Sequence, residues 1–294
     1  MKRLFTFAIP VTIFVFILYL LSMHFAMKAL FPQKIEEDLM GTRVSITVKD
    51  PGGFGKAQKA LNRMRSIAKH LNRFDPESDV ARINLADGQP VKVSEETLKC
   101  IKLALKLARL SGGAFDPTLS DYKKVQIDEK HPPTGRAGKI IRLNSQNLSL
   151  NLDGIGKGYV VEKGREFLFK MGVKNAMIDL KSSIAVLGGP WKVGIQHPRK
   201  KDQVLLVLRL ANGEAISTSG DYEQGSHIIN PKTGKPASLC QSVTLTGKDA
   251  GLLDGLSTAV FVLGPEKGLK LIKKVGGIKA VLVTVDGKVI KHGL

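Results

Sequence analysis

Two regular spacings of apolar residues run through this chain, and together they predict a mixture of strands and helices. Val44, Ile46 and Val48 alternate with polar residues, which is the two-residue period of a half-buried strand. The dipeptide Asp286-Gly287 predicts the turn of a hairpin near the C-terminus. Apolar runs predict further strands at residues 176–180, 184–187, 191–196, 204–210 and 242–246.

The second spacing, of three and four residues, predicts amphipathic helices. Ser94 is a suitable N-cap for one of them, which we expect to end at Gly112. Another helix is predicted over residues 56–72, because its apolar residues share one face: Leu61, Met64, Ala68 and Leu71. Later helices are predicted at residues 157–171, 255–262 and 266–275.

Two stretches have neither period. Residues 32–38 are predicted to be a short charged linker, and residues 123–143, with two prolines and scattered charges, a surface loop. Helices and strands do not alternate regularly, which favours an α+β fold. We therefore expect a single domain over residues 32–294, preceded by a separate segment of residues 1–31.

That first segment has the features of a membrane span or a signal peptide. Lys2 and Arg3 precede an uncharged, mostly apolar stretch at residues 4–23, about long enough to cross a bilayer as a helix. No Cys follows this stretch, which argues against a lipoprotein, and no clear small-x-small cleavage site precedes Lys28. We expect one uncleaved transmembrane helix in the bacterial inner membrane, with the catalytic domain facing the periplasm.

The charge balance indicates an anionic partner. Lys and Arg number 45 against 26 Asp and Glu, which gives a net charge of +19. Nucleic acid, a phospholipid surface and a phosphorylated small molecule are all compatible with this excess. Aromatic residues make up only 6%, and no basic run is interleaved with them, so we expect no nucleic-acid partner. Cys100 and Cys240 either form one disulfide or are separate buried thiols.

Candidate chemistry is concentrated in three polar, glycine-rich segments at residues 151–159, 218–234 and 254–259. Asp254 and Thr258 lie four residues apart at the start of a predicted helix, so their oxygens share one face and suit Mg²⁺; the alternative is that Asp254 only caps the helix. Lys157 lies in the first turn of another helix, where free amides stabilise phosphate. His227 is either a proton carrier or a structural imidazole.

In their order and spacing, these segments resemble the FAD:protein FMN transferases, the ApbE-type flavin transferase family, from about Met40 nearly to the C-terminus. The resemblance implies one α+β catalytic domain of T-fold-like architecture. It implies Mg²⁺-dependent transfer of FMN from FAD, as substrate, to a Ser or Thr hydroxyl of an acceptor redox protein, with release of AMP. The acceptor is expected to be a flavoprotein subunit of a membrane or periplasmic redox system.

The resemblance also implies a role for individual residues. The metal ligands would be Asp254, Thr258 and the carbonyl of Gly154, and His227 would be the catalytic residue. Contacts with FAD are implied for Met40, Phe74, Ala114, Phe115, Asp116, Asn151, Lys157 and Ile229.

The chain departs from the family pattern at several positions. Asn151 and Asn230 stand where the family has Asp, and Lys181-Ser182-Ser183 stands where the family has Gly-Gly followed by Asn or Asp. Either the activity is lowered, or Asp153 or Asp221 supplies the missing carboxylate. Two alternatives to the transferase therefore stay open: an FAD-binding carrier, and a metal-dependent FAD pyrophosphatase that uses water as the acceptor.

Overall fold

An antiparallel sheet of eight strands forms the centre of the fold in the computed structural model, which describes residues 14–20, 23, 32–128, 139–222 and 227–294. Every neighbouring pair in this sheet is antiparallel. In spatial order the strands are β1 (Gln33–Leu39), β2 (Thr42–Val48), β6 (Ala176–Leu180), β7 (Ser183–Leu187), β10 (Ala215–Gly220), β11 (Cys240–Gly247), β12 (Lys279–Thr284) and β13 (Val289–His292).

Besides the central sheet, the described residues form two smaller sheets. The first has the strand order β3-β5-β4, and the second is the hairpin β8-β9. Their bounds are β3 (Val91–Lys92), β4 (Val125–Asp128), β5 (Ile140–Leu143), β8 (Trp191–Gln196) and β9 (Val204–Leu210).

The helices pack together and against the central sheet, where their apolar faces join the main core. They are α1 (Gly53–Leu71), α2 (Asp79–Leu85), α3 (Glu95–Leu110), α4 (Asp153–Lys170) and α5 (Ala250–Val275). Within α5 the helix is interrupted at Gly264, which has φ 74° and precedes Pro265. Proline cannot continue a helical hydrogen-bond pattern, so α5 consists of two helical parts.

Strand β7 shows that both faces of the central sheet are covered. Ala185 and Leu187 belong to the main core, whereas Ile184 and Val186 belong to a second apolar cluster with residues of β8 and β9. Successive side chains of a strand point to opposite faces. The hairpin β8-β9 therefore covers the face of the sheet that the helices leave open.

Most of the predicted elements are confirmed, with small shifts at their ends. The ranges 176–180, 191–196 and 204–210 agree with β6, β8 and β9, and the C-terminal hairpin is formed by β12 and β13. Ser94 caps α3, since its hydroxyl accepts a hydrogen bond of 3.2 Å from the Thr97 amide. Cys100 and Cys240 are separate buried thiols.

Three predictions from the sequence are wrong. Residues 32–38 are not a linker but lie almost wholly in β1, in which Ile35 and Leu39 are buried while charged residues occupy the positions between them. Residues 123–143 include β4 and β5, although residues 129–138 lie outside the described part. Helix α4 begins at Asp153, four residues before its predicted start. Its first turns contain glycines, which disfavour a helix locally but allow close packing against neighbouring residues here.

The predicted membrane span at residues 4–23 lies mostly outside the described residues. Residues 14–20 are helical, and their side chains are exposed. Within the part of the chain that the structure describes, no helix has the length and apolar content needed to cross a bilayer.

Candidate active site

A single large cleft of about 1450 Å³ collects the residues that the sequence placed at the site. It is lined by the end of β1, the C-terminal end of α1, the first turn of α4, strands β8 and β10, and α5. Every predicted site residue lines it: Met40, Phe74, Ala114, Phe115, Asp116, Asn151, Gly154, Lys157, His227, Ile229, Asp254 and Thr258.

Asp254, Thr258 and Gly154 lie close together in this cleft. The hydroxyl of Thr258 donates to the carbonyl oxygen of Asp254 at 3.3 Å, one helical turn away. A methyl group placed on Gly154 would lie 3.6 Å from Oγ1 of Thr258, so the first turn of α4 closely approaches α5. Helix α5 begins at Ala250 and is capped by Asp249, which excludes the alternative that Asp254 is a helix cap.

The Asp254 carboxylate is held from two sides. Its Oδ2 accepts a 2.7 Å hydrogen bond from the amide of Gly158 in α4, and its Oδ1 accepts a 3.2 Å bond from the hydroxyl of Ser217 in β10. The side chain is 5% exposed, and this burial raises its pKa to about 6, although the Gly158 amide, Lys157 and Ser217 act in the opposite direction.

A row of buried hydroxyl groups lies next to Asp254 and Thr258 of α5. Ser183 and Ser217 are 3.0 Å apart, and Ser219 lies 2.8 Å from Ser257 and 3.1 Å from the hydroxyl of Thr258. Strand β10 thus contacts Asp254 and Thr258 through alternate residues on one face, and this fixes the side chains relative to the sheet.

The donor set suits a hard divalent cation. A carboxylate, a hydroxyl and a backbone carbonyl are oxygen ligands of the type that Mg²⁺ takes when phosphate and water complete its shell. Among the described residues, no group of three or more His, Cys, Asp or Glu side chains converges on one point. The buried, incompletely neutralised carboxylate of Asp254 fits a role as the charged ligand.

Lysine side chains give the cleft an excess of positive charge. Lys69, Lys157, Lys181 and Lys192 line it and form no salt bridge with another described residue. Lys157 acts on Asp254, whose pKa it lowers against the larger effect of burial. We therefore expect an anionic ligand to be bound between these lysines.

His227 is exposed and lines the cleft at the start of a short loop. Ile229 forms an isolated antiparallel bridge with Pro236, and Asn230 closes the loop by accepting from the amide of Lys232 at 3.0 Å through Oδ1. Asn230 is therefore occupied by its own loop, whereas the imidazole of His227 lies on the cleft surface.

Asp153 and Asp221, the carboxylates proposed to replace the family's acids, are each paired with an arginine. Asp153 lines the cleft but is paired with Arg73 at 3.0 Å, and Asp221 is held by two bonds of 2.6 and 2.7 Å from Arg199. Asn151 accepts from the Asp153 amide at 2.8 Å, and this bond closes a turn directly before α4. The amide at position 151 thus has a structural role that a carboxylate would also perform.

The segment 114–116 lines the cleft but is itself buried. Ala114, Phe115 and Asp116 are 3%, 4% and 7% exposed. The large apolar side chain exposed in this loop is Leu119, which is 46% exposed and lines the cleft. Leu119 was not predicted from the sequence; its signal there is a leucine at the fourth position of a turn that begins Asp-Pro.

Phe74 has the opposite environment. It is 74% exposed at the cleft, and the guanidinium of Arg73 lies 4.2 Å from the centre of its ring. Because Arg73 also binds Asp153, the ring is held beside the first turn of α4. Phe74 is therefore not part of the hydrophobic core.

The architecture of this sheet, helix layer and cleft is that of the ApbE flavin transferases. The crystal structure of the ApbE protein from Thermotoga maritima superposes with a TM-score of 0.78 at 27% identity, covering 89% of this chain and 97% of that one. The model of the ApbE family matches residues 40–282, and the chain therefore belongs to the ApbE family. The resemblance indicated by the sequence motifs is confirmed.

Curated relatives agree with this assignment. The FAD:protein FMN transferase of Vibrio cholerae is 26% identical over 270 residues, which cover 78% of this chain and 81% of the relative. The protein of the same name from Treponema pallidum is 28% identical over 278 residues, which cover 78% and 76%.

Proposed function

We propose that this chain transfers FMN from FAD to a Ser or Thr hydroxyl of an acceptor redox protein and releases AMP. The observation that carries the proposal is the convergence on one cleft of Asp254, Thr258, Gly154, Lys157 and His227. The names of the relatives support the same reaction. The volume of about 1450 Å³ also leaves room for a dinucleotide together with part of an acceptor chain.

The reaction exchanges one phosphorus–oxygen bond for another. The acceptor hydroxyl oxygen attacks the phosphorus of the FMN half, the bond to the AMP oxygen breaks, and the hydroxyl proton passes to the imidazole of His227. Lys157, in the first turn of α4, binds the pyrophosphate and holds it for attack.

Mg²⁺ fits the oxygen donors of Asp254, Thr258 and Gly154. When bound there, it would neutralise charge on the pyrophosphate and on the departing AMP. The protein's part is to hold these donors in place: the Gly158 amide and the Ser217 hydroxyl orient the Asp254 carboxylate, and Ser219 contacts the Thr258 hydroxyl.

One incubation tests the proposal against both alternatives. The protein is mixed with FAD, Mg²⁺ and redox subunits produced without flavin, and the products are separated. Fluorescent flavin that stays on the acceptor after denaturation, with an equal amount of AMP, is the expected result. Free FMN plus AMP would identify a pyrophosphatase, and intact bound FAD would identify a carrier; either one would overturn the transferase.

We also propose that residues 4–23 anchor the chain in the bacterial inner membrane with the domain outside the cytoplasm. The apolar stretch and the basic pair before it support this placement, as does the exposure of the apolar side chains at residues 14–20. The full chain should resist extraction by carbonate, and a reporter fused after Leu294 should be active in the periplasm. Release by carbonate, or a reporter active only in the cytoplasm, would contradict the placement.

A further inference from the structure

Leu119 combines two properties that are unfavourable for a leucine. Its backbone is left-handed, with φ 53°, and its side chain is 46% exposed. The amide of Leu119 donates to the carbonyl of Asp116 at 3.1 Å, which closes a four-residue turn. Asp and Pro at the first two positions favour such a turn, but its fourth position favours glycine. The unfavourable backbone conformation of Leu119 is therefore not compensated by burial of its side chain within the protein.

The surrounding loop is built to hold this conformation. Oδ1 of Asp116 accepts from the amide and the hydroxyl of Thr118, both at 2.7 Å, and Oδ2 accepts from the amide of Tyr122 at 3.1 Å. The Thr118 hydroxyl in turn accepts from the amide of Ser120 at 3.3 Å. Both oxygens of Asp116 accept hydrogen bonds within the loop, and its side chain is buried. Asp116 therefore holds the loop in this conformation, and Leu119 lies in the cleft.

Backbone strain in this chain is concentrated at the cleft. The described non-glycine residues with positive φ are Met40, Asp87, Leu119, Asn147 and Lys181, and Met40, Leu119 and Lys181 line the cleft. Strained residues persist where their surroundings fix them, and they cluster at ligand-binding sites. A ligand that covered Leu119 would bury the apolar surface that the protein leaves exposed.

We propose that Leu119 is a substrate-contacting residue that packs against a planar ring of the dinucleotide, and that Asp116 is a positioning residue that acts through Leu119. The inference rests on the proposed function, because it takes FAD as the ligand. Flavin and adenine both offer a flat aromatic face to an apolar side chain. The experiment distinguishes the two rings.

The test compares the affinity for FAD and the urea midpoint of the full chain and of Leu119→Gly. Glycine adopts a positive φ without strain and removes only an exposed side chain, so the urea midpoint should stay the same or rise. The affinity for FAD should fall about tenfold, as expected when a half-exposed leucine loses its contact with a ligand. Leu119→Met should keep the affinity near that of the wild type.

Asp87→Gly is the matched control, because Asp87 has φ 46° and does not line the cleft. It should leave FAD affinity unchanged. An unchanged affinity in Leu119→Gly, or a urea midpoint that falls clearly below the wild type, would overturn the inference. If the wild type failed to bind FAD at all, the proposed function would fail as well, so the two failures are distinguishable.

Binding of FMN and of AMP identifies the ring. A loss of affinity for only one of them in Leu119→Gly supports the contact and assigns it to that half of FAD. An equal loss for both, or a loss for neither, would overturn a specific contact.

A double-mutant comparison tests Asp116. If Asp116 acts through Leu119, Asp116→Asn should weaken FAD binding in the wild type but have no further effect in Leu119→Gly. Additive losses would mean that Asp116 contacts the ligand itself, and would overturn its assignment as a positioning residue.

Discussion

Two buried carboxylate groups organise the cleft. Asp254 joins α4 and β10 to α5, and Asp116 organises the loop that carries Leu119. In both cases each carboxylate oxygen accepts at least one hydrogen bond. Removing such a group leaves a buried donor without its partner, which costs more than the bond itself contributes.

Asp254→Ala should abolish most metal-dependent transfer. A single electrostatic contact to a reacting group is worth about 10²–10³-fold in rate, and the stability should fall by about 1–3 kcal/mol because the Gly158 amide loses its acceptor. Turnover at varied Mg²⁺ measures the loss of transfer, and urea denaturation measures the loss of stability. Asp153→Ala, an exposed aspartate of the same cleft, should have a smaller effect on both. An Asp254→Ala protein with normal Mg²⁺ dependence would disprove the metal assignment.

His227→Ala should lower FMN transfer by about 10²–10⁴-fold, the usual contribution of a positioned base or acid, with little change in FAD affinity. The reason is that FAD contacts are distributed over the cleft, whereas the proton of the acceptor has one recipient. His197→Ala is the control, since His197 does not line the cleft and its Nδ1 accepts from the amide of Arg199. Equal losses in transfer and binding would make His227 a binding residue.

At the scale of whole elements, the close approach of α4 to α5 depends on Gly158. A methyl group there would overlap the carbonyl oxygen of Ala250 and lie 2.5 Å from Cβ of Asp254. Gly158→Ala should therefore lower the free energy of unfolding by about 1–3 kcal/mol or more, as overpacking does, and should reduce activity. Gly55→Ala in α1 is the control: nothing lies within 4 Å, so it should raise stability by about 0.5–1 kcal/mol.

A second contact between elements predicts a pH dependence. Asp79 at the start of α2 accepts from the amide of Ser94 at 2.9 Å and from the hydroxyl of Thr97 at 2.7 Å, and it pairs with Arg82. Burial alone would raise its pKa, but these partners outweigh burial and hold the pKa below its usual value.

A lowered pKa means that Asp79 stabilises the fold above its unfolded pKa of about 4, and that this stabilisation is lost as the pH falls through the lower folded value. The difference in unfolding free energy between wild type and Asp79→Asn should narrow as the pH falls below about 4. Urea denaturation across this range measures it. A difference that grew with acid would contradict the assignment.

Elements were predictable where apolar spacing was undisturbed. Strands β6, β8 and β9 were predicted with their observed bounds because each is a short run rich in apolar residues. Strand β1 was missed because it lies at the edge of the sheet, where only Ile35 and Leu39 are buried and charges fill the other positions. The early start of α4 was missed because its glycines disfavour a helix locally and are compensated only by packing against α5.

At the scale of the whole molecule, residues distant in sequence meet in one cleft. The sequence predicted well which residues line this cleft, since recurring motifs identify such residues without knowledge of the fold. It did not predict how these residues differ in exposure and in role. Phe115 is buried while Phe74 is exposed, and Asp116 accepts hydrogen bonds from its own loop. Leu119 was missed because its backbone conformation, not its residue type, distinguishes it.

The lysines of the cleft predict a salt effect on the whole protein. The rate constant for association with FAD should fall by about tenfold or more as salt rises from low to high concentration, while the dissociation rate changes less. Lys192→Glu should slow association, and Lys273→Glu, which makes the same charge change away from the cleft, should slow it less. Stopped-flow flavin fluorescence measures both rates; association that is independent of salt would contradict the prediction.

The charges of Lys69, Lys157, Lys181 and Lys192 affect how fast an anion reaches the cleft, but not which anion is retained. Long-range attraction depends on charge alone, so every nucleotide pyrophosphate is drawn to the cleft at a similar rate. Discrimination between FAD and more abundant nucleotides must then be achieved by how long each one stays. For this chain, residence time, which depends on short-range contacts, is the quantity by which a flavin is distinguished from any other anion.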